Sequence, residues 1–246
     1  MLRFLISGER DGQQEAAILE GMVAGLAVDA RAISRACGLK KGHIEIVSGV
    51  RAKKSIGGAI ALVIPGFCET AARTAVGAIC RNFLEEFDVD FISRTAAKGG
   101  IFEIRIKGVP AGLGSFVQYD RRLSARLCAA LMAIPGVKSV EMGMGFKVSE
   151  TPGSEAHDEI FYDKKNGFYR KTNHAGGFEG GMTNGEDLVL RATVKSGKRS
   201  ATDCEAVGEA MVAFELAKAY LEKFGGDSLG ETKRNFNGYL KQLKAF

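Results

Sequence analysis

The sequence predicts an α+β fold of two pseudo-repeated halves, in which helices pack between antiparallel sheets. Two patterns predict the elements: alternating apolar and polar residues, as in strands, and apolar residues that recur at helical spacing. A third observation predicts duplication, since Gly-Met-Val-Ala-Gly-Leu at residues 21–26 returns as Gly-Val-Pro-Ala-Gly-Leu at residues 108–113. We therefore expect a single domain over residues 1–246, with repeated halves at about residues 1–98 and 99–246.

The first half is predicted to begin with a strand and to end with a long helix. Asp29 is a suitable N-cap for a short helix, and Gly38 ends that helix. A Pro-Gly turn at residues 65–66 precedes the long helix, whose apolar residues recur at helical spacing. The predicted elements are, in order, strand 2–6, a helical pattern at 16–23, helix 29–37, strands 43–47 and 59–64, and helix 69–87.

The second half repeats this plan and adds a buried helix and a terminal helix. Residues 204–224 carry too few charges for a surface helix, so we expect this helix to lie between layers. Ser228 and Glu231 form a capping box that begins the last helix. The polar, turn-rich segment 151–168 is predicted to be a surface excursion. The other predicted elements are strands 89–95, 101–106, 137–144 and 188–195, and helix 120–134.

The composition favours a globular protein, with 46% hydrophobic residues. No apolar run is long enough to span a bilayer and the N-terminus does not resemble a signal peptide, so we expect a cytoplasmic protein that does not bind membranes. The cysteine number is odd and no Cys-x-x-Cys occurs, which predicts reduced thiols. The three histidines are scattered, so we expect no metal site. The cysteines are Cys37, Cys68, Cys80, Cys128 and Cys204.

The net charge of +5 is concentrated in two segments. The first lies between residues 31 and 54, and the second lies between residues 191 and 199. Basic clusters beside glycine-rich turns favour a small anionic ligand. No aromatic residues interleave with the bases, so we expect no nucleic-acid partner. The bases are Arg31, Arg35, Lys40, Lys41, Arg51, Lys53 and Lys54 in the first cluster and Arg191, Lys195, Lys198 and Arg199 in the second.

A glycine-rich stretch at residues 173–195 is the most distinctive part of the sequence. Two Gly-Gly pairs, at 176–177 and 180–181, allow positive φ angles and would let a flat or anionic ligand approach the backbone. Asn184 and Gly185 then turn the chain into a strand that ends at Lys195. The alternative interpretation is a hairpin with an elaborate turn and no ligand.

This stretch resembles the Asn-Asn-x-Gly-Gly-x-x-Gly-Gly-Ile-Ser/Thr-Asn-Gly signature of chorismate synthases, with His174 in place of the second Asn. The resemblance covers nearly the whole chain, and the sequence is identified as a member of that superfamily. The resemblance implies the family's β-α-β sandwich and a homo-oligomer, either a dimer or a tetramer. Further matches are Glu69-Thr70-Ala71-Ala72-Arg73, Gly108-Val109-Pro110-Ala111-Gly112-Leu113-Gly114-Ser115, Val140-Glu141-Met142-Gly143, Gly153-Ser154, His157-Asp158-Glu159-Ile160 and Gly208-Glu209-Ala210-Met211.

The resemblance also implies an activity, a cofactor and a set of site residues. Chorismate synthases are lyases of the shikimate pathway, which leads to the aromatic amino acids. They eliminate phosphate from 5-enolpyruvylshikimate 3-phosphate, with reduced FMN as a transient electron donor. The implied catalytic positions are Asp11 and Arg10, the implied cofactor contacts are Gly180, Asn184, Lys195, Arg199 and Asp203, and the implied substrate or anion contacts are Arg35, Lys40, Lys41 and Arg73.

The sequence departs from the family pattern at three places that bear on catalysis. The family's opening Gly-Glu-Ser-His-Gly is Gly-Glu-Arg-Asp-Gly at residues 8–12, and an ordinary aspartate is ionised at neutral pH, whereas a histidine can donate a proton. The arginine-rich loop expected after Arg35 is reduced to residues 36–43. The family's long insert after Ile64, with a second histidine, is absent.

These departures leave three readings of the function. The first is an active, shortened chorismate synthase that uses reduced FMN. The second is the same fold without that catalysis, a degenerate or minimised form that binds a small anion or acts as a scaffold and needs no FMN. The third is a different reaction on a related phosphorylated ligand.

Overall fold

The computed structural model describes residues 1–9, 12–39, 43–66, 70–95, 100–164, 167–195 and 200–245. The chain forms two compact units. The first contains Met1–Phe87 and Ala210–Tyr239, and the second contains Asp88–Glu209 and Leu240–Phe246. Across the described ranges, each helix is too short or too polar to span a bilayer. The assignment of a single domain stays a prediction.

The first unit contains a four-stranded antiparallel sheet with strand order β1-β2-β6-β3. The inward side chains of its central strands, such as Leu19, Leu62 and Ile64, are fully buried. Helix α2 contributes Val76, Ile79 and other apolar residues to the core of this unit. Its elements are β1 Arg3–Ser7, β2 Gln14–Glu20, α1 Ala30–Ala36, β3 Glu45–Ser48, β4 Val50–Arg51, β5 Lys54–Ser55, β6 Ile60–Pro65 and α2 Ala71–Glu85.

The second unit contains a sheet with strand order β7-β8-β14-β9, also antiparallel throughout. Short 3-10 helices lie at Tyr119–Arg121 and Gly145–Glu150. The elements are β7 Asp90–Thr95, β8 Ile101–Lys107, α3 Leu123–Met132, β9 Val137–Met142, α4 Gly153–Ala156, β10 Ile160–Asp163, β11 Gly167–Arg170, β12 Phe178–Glu179, β13 Met182–Thr183 and β14 Leu188–Val194.

Two long helices complete the described chain, and each has residues in both units. Helix α5 spans Ala201–Phe224 and helix α6 spans Leu229–Leu243. The prediction that residues 204–224 form a buried helix is confirmed, because Val212, Leu216 and Tyr220 are fully buried. The Ser228 cap predicted for α6 is confirmed, since the amide of Glu231 donates to the Ser228 hydroxyl at 3.3 Å. The Glu231 carboxylate accepts from the amide of Asp227 at 3.0 Å, one residue before the cap, and not from Ser228 as in a full capping box.

The helical pattern predicted at residues 16–23 is wrong. These residues lie largely in β2, which pairs with β1 on one side and β6 on the other. Burial in β2 alternates, with Glu15, Ala17 and Leu19 buried. A short apolar run fits both periods, so two flanking strands decide the conformation where the local pattern does not.

The predicted duplication and α+β fold are confirmed, down to single hydrogen bonds. In each sheet the first strand pairs with the second, the second with the fourth and the fourth with the third. The amide of Gly25 donates to the carbonyl of Ser55, and the amide of Gly112 donates to the carbonyl of Thr183, both at 2.8 Å. The hydroxyls of Ser55 and Thr183 each donate to a backbone carbonyl at 2.6 Å. The two halves therefore share a backbone framework as well as a motif.

The two halves differ in the backbone strain of one hairpin turn. The β12–β13 turn uses Gly180 and Gly181 at φ of 58° and 91°, whereas the equivalent β4–β5 turn uses Ala52 and Lys53 at φ of 47° and 61°. Two-residue hairpin turns with positive φ at both positions favour glycine and asparagine. A side chain at Lys53 therefore strains the first hairpin.

We expect Lys53→Gly to raise the free energy of unfolding by about 0.5–1 kcal/mol, because relief of the left-handed conformation outweighs the added freedom of the unfolded chain. Urea denaturation at pH 7 measures this change. Lys54→Gly is the matched control, since Lys54 lies in strand β5 and not at one of the two positive-φ positions, and a glycine there should destabilise. Equal effects from the two substitutions would contradict the strain at Lys53.

Candidate active site

The signature glycines serve different purposes, and three of them are required by protein contacts. Gly176, Gly177 and Gly181 are buried. An added Cβ would overlap the amide of Gly143 at Gly176, would lie 2.7 Å from the carbonyl oxygen of Asp187 at Gly177, and would overlap the Arg122 side chain at Gly181. Gly180 differs, since it is exposed and its added Cβ would meet only an ordinary contact at 3.8 Å. Gly185, the last glycine of the signature, is also exposed, with the nearest contact of an added Cβ at 3.7 Å. Gly180 and Gly185 are therefore the signature glycines that a ligand can approach.

Asp158 holds the start of the signature. Its carboxylate accepts hydrogen bonds from the Thr172 hydroxyl at 2.6 Å and from the amides of His174 and Ala175, both at 2.8 Å. Its side chain is only 1% exposed. Burial alone would raise the pKa of Asp158, but these bonds and the nearby His174 outweigh it and hold the pKa below its ordinary value. The segment predicted to be a surface excursion therefore contains a buried anchor.

His174 lies beside this carboxylate. Its Nδ1 is 3.9 Å from Oδ1 of Asp158, and this buried atom has no hydrogen-bond partner among the described residues. Its backbone carbonyl accepts from the amide of Met144 at 2.8 Å. The histidine that departs from the quoted signature is thus fixed through its main chain, while its ring is about one-third exposed.

Arg170 donates hydrogen bonds to both sides of the β12–β13 hairpin. Its Nη2 donates to the Glu179 carboxylate at 2.6 Å, and its Nη1 donates to the backbone carbonyl of Asn184 at 3.2 Å. The Arg170 side chain is almost fully buried. An arginine held in two places fixes the hairpin because its planar guanidinium has a defined geometry.

The side-chain amide of Asn184 is held in one orientation. Its Oδ1 accepts from the amide of Glu186 at 3.0 Å, which orients the side chain. Its Nδ2 is buried and has no hydrogen-bond partner within the described ranges. Buried donors are normally satisfied, so this amide nitrogen is the candidate contact for an oxygen acceptor of a ligand.

Arg191 does not contribute a free cation, contrary to the predicted basic cluster. Its Nε donates to the buried Glu103 carboxylate at 2.7 Å, and its Nη1 donates to the carbonyl of Gly143 at 2.6 Å. Glu103 also pairs with Arg94 at 2.8 Å. The side chain of Arg191 therefore stabilises the sheet and the neighbourhood of the signature. The sequence position of an arginine alone does not show whether it forms an ion pair within the protein or binds a ligand.

Lys195 and Asp203 follow the signature strand. Lys195 is exposed, and its amide donates to the carbonyl of Gly136 at 2.8 Å. The Asp203 carboxylate accepts from the Ser200 hydroxyl at 2.7 Å, as a cap at the start of α5. Capping accounts for Asp203 without a ligand. Lys198 and Arg199 lie outside the described residues.

The first unit contains a recess beside the opening motif. It has a volume of about 700 Å³, and its described lining contains two carboxylates and no basic residue. Glu15 is buried, and its carboxylate accepts from the amide of Ala72 at 3.2 Å. Arg10 and Asp11 lie outside the described residues. The lining residues are Ser7, Gly8, Glu9, Gly12, Gln13, Gln14, Glu15, Ala16 and Val63.

The predicted anion contacts of the first unit lie on its helices. Arg35 is exposed in the last turn of α1, and Arg73 is half-buried in the first turn of α2. Helices α1 and α2 contact each other. Lys40 and Lys41 lie outside the described residues, so their roles stay predictions.

The four described cysteines, Cys37, Cys80, Cys128 and Cys204, form no disulfide with one another. Burial is the main reason why the pKa of Cys80 is raised, and the nearby Glu215 raises it further. Cys68 lies outside the described residues. Among the described residues, no group of three histidine, cysteine or acidic side chains is arranged to hold a metal ion.

The two sheets of equal strand order and the glycine-rich hairpin define a class of duplicated α+β protein. A solved structure has the same fold. The chain superposes on a protein described as "Crystal Structure of Chorismate Synthase" with a TM-score of 0.95 and 32% identity, covering 100% of this chain and 99% of that chain. The family model for chorismate synthase matches residues 91–208.

Full-length relatives give the same result. The chain is 33% identical to the chorismate synthase of Geobacter sulfurreducens over 393 aligned residues and 33% identical to that of Caldanaerobacter subterraneus over 350, with 100% of both chains covered in each case. The chain belongs to the chorismate synthase family. Since the alignments are longer than its 246 residues, these relatives carry segments that this chain lacks.

Proposed function

We propose that this protein is a shortened chorismate synthase that eliminates phosphate from 5-enolpyruvylshikimate 3-phosphate to give chorismate. One observation carries the proposal. The signature hairpin is held by Arg170 and Asp158, its turn exposes Gly180, and the buried amide nitrogen of Asn184 has no partner among the described residues. A hairpin kept only as scaffold would not need an oriented, unsatisfied donor.

The same residues fit a flavin, which the family uses in its reduced form. FMN offers carbonyl oxygens and a flat ring, for which the Asn184 amide and the backbone at Gly180 are suitable contacts. Lys195 and Arg199 would supply positive charge toward the phosphate, and Asp203 is proposed to neighbour the site while it caps α5. When bound, reduced FMN would lend an electron to the substrate and take it back.

The chain's own residues have two tasks in this reaction. Cations must stabilise the leaving phosphate, and we assign Arg35, Arg73, Lys40 and Lys41 to the anionic groups of the substrate. A proton donor is needed near the ring. Asp11 occupies the position of the family's histidine, and Arg10 occupies that of the serine before it. Asp11 is a poor donor at neutral pH because an ordinary aspartate has a pKa of about 4.

A second function is favoured by the recess of the first unit. Its described lining carries Glu9 and Glu15, which repel an anionic substrate, and no base. On this observation the chain would bind a small phosphorylated ligand at the signature hairpin without catalysing elimination. The two functions share the hairpin site and differ in turnover.

An anaerobic assay with reduced FMN and 5-enolpyruvylshikimate 3-phosphate separates the two functions. Chorismate formation at a rate proportional to protein concentration supports the lyase. Flavin binding without chorismate, even at high protein concentration, supports the second function. The absence of both flavin binding and phosphate-ester binding in calorimetry would contradict both.

We expect Asn184→Ala to weaken the binding of oxidised FMN about 10-fold, because one buried hydrogen bond to the ligand is lost. Quenching of flavin fluorescence measures the affinity. Asn237→Ala is the matched control, because Asn237 is exposed on helix α6. Unchanged affinity in Asn184→Ala would place the flavin contact elsewhere.

A further inference from the structure

The ring of His174 has a buried edge and an accessible edge. Its Nδ1 is buried and has no hydrogen-bond partner among the described residues. The side chain as a whole is 32% exposed, so its accessible atoms are others than Nδ1. The Asp158 carboxylate lies 3.9 Å from Nδ1 and is itself 1% exposed. Nε2 is therefore the ring nitrogen that is left for a ligand.

The main chain at His174 is held independently of this ring. The amide of His174 donates to the Asp158 carboxylate at 2.8 Å, and its carbonyl accepts from the amide of Met144 at 2.8 Å. The amide of Ala175 donates to the other oxygen of Asp158, also at 2.8 Å. At residue 174 these bonds use backbone groups, which every residue except proline can supply. The imidazole is therefore not needed for the conformation of the signature.

The Asp158 carboxylate gives the ring a fixed negative neighbour. Burial opposes the ionisation of Asp158, but its three hydrogen bonds and the charge of His174 together hold its pKa below the ordinary value. Both oxygens accept from protein donors, so this charge is directed into the protein and not toward a ligand. An ionised carboxylate beside an imidazole attracts the protonated form of the ring, and histidine is the side chain that gains or loses its charge between pH 5 and pH 8.

Other charged groups on the surrounding segments have contacts of their own. Arg191 and Glu103 form an ion pair at 2.7 Å, and the ammonium group of Lys171 lies over an aromatic ring at 4.2 Å. Within the described ranges, Asp158 is the acidic group that lies within 4 Å of a ring nitrogen of His174. The titratable and charged side chains on these segments are Glu103 in β8, Glu141 in β9, His157, Asp158 and Glu159 before β10, Arg170 and Lys171 at the end of β11, and Arg191 in β14.

His174 belongs to the same loop as the ligand contacts proposed above. It lies three residues before Gly177, whose carbonyl accepts from the amide of Asn184 at 3.0 Å. We propose that Nε2 of a protonated His174 binds an anionic group of a flavin nucleotide, its phosphate or its reduced ring, so that binding is coupled to proton uptake. The inference rests on the ligand site proposed at the signature hairpin. It gives this chain a cation where the quoted signature has asparagine.

Calorimetry on the full chain at pH 6 and pH 8 tests the proposal, with oxidised FMN and, anaerobically, with reduced FMN. We expect the wild-type dissociation constant to rise at least about 5-fold from pH 6 to pH 8, because loss of the proton removes the cation that faces the ligand. His174→Asn should lose this dependence. A phosphate monoester also titrates near pH 6, so the coupling is the difference between the two proteins. A difference with both forms of FMN assigns the contact to the phosphate, and a difference with reduced FMN alone assigns it to the ring.

His157→Asn is the matched control, because His157 is an exposed histidine on the other side of Asp158. It should keep the pH dependence of the wild type, and thermal melts verify that both variants are folded. Equal pH dependence in wild type and His174→Asn would overturn the proposal, as would the absence of FMN binding at both pH values. Chorismate formation is assayed on the same samples. Chorismate without the pH difference leaves the lyase and removes the role of His174, whereas proton-coupled binding without chorismate does the reverse.

Discussion

Gly143→Ala is expected to destabilise the protein by about 3–5 kcal/mol, because the residue has positive φ and the added Cβ has no room. The φ of Gly143 is 54°, and a Cβ there would overlap the carbonyl oxygen of His174. The chain at residues 174–176 must then move away, and the hydrogen bond from the Met144 amide to that carbonyl is lost. Urea denaturation measures the loss of stability, and flavin fluorescence measures the loss of the signature conformation.

Two other glycines separate conformational strain from overlap. Gly167 has a φ of 70° and nothing within 4 Å of an added Cβ, so Gly167→Ala should show strain alone, about 1–2 kcal/mol. Gly153 begins helix α4 without positive φ or close neighbours, so Gly153→Ala should be neutral or slightly stabilising. If Gly143→Ala costs no more than Gly167→Ala, the contact with the signature is not a determinant of stability.

Asp158→Ala is expected to lower the free energy of unfolding by about 2–4 kcal/mol, because three hydrogen-bond donors lose their acceptor. Asp158→Asn should fall between the wild type and the alanine variant. One amide oxygen can still accept from Thr172 and His174, but the amide nitrogen would face the amide of Ala175 as a second donor. Denaturation at pH 7 ranks the three proteins.

The Asp158 contribution should also depend on pH in a defined direction. Its pKa is lowered in the folded state, so the stabilisation is fully present above the ordinary pKa of about 4 and is lost as the pH falls through the folded-state pKa. The stability difference between wild type and Asp158→Asn should therefore be constant from pH 8 to pH 5 and should shrink below pH 4. A stability difference that grows as the pH falls would contradict the stabilising role of the ionised Asp158 carboxylate.

The sequence was sufficient for the features that depend on local periodicity and on repetition. The long helix α2, the buried helix α5 and strand β8 were predicted because their apolar residues keep one period over many positions. The duplication was visible in a six-residue motif. Strand β2 was missed because residues 16–23 are short and apolar, and pairing with two other strands overrides such a weak local signal.

The site was predictable in outline and not in its supporting contacts. The signature located the hairpin and Asn184. It also led us to expect a ligand against Gly176, Gly177 and Gly181, whereas these glycines are in close contact with other protein atoms. Asp158 was named only within a matched motif, and Glu103 and Arg170 were not singled out, because the sequence around a charged residue gives no sign that it is buried. Their partners are distant in sequence, and only the folded chain brings them together.

The unequal hairpins of the two halves bear on stoichiometry. The amide of Ile56 donates to the carbonyl of Gly49 at 3.0 Å, as the amide of Asn184 donates to the carbonyl of Gly177 at the same distance. Ile56 thus occupies the place of Asn184 in the first half, with an alkyl group where the second half offers a donor. For the ligand proposed at the signature hairpin, we therefore expect one site per polypeptide, and saturation in a titration should occur at one equivalent.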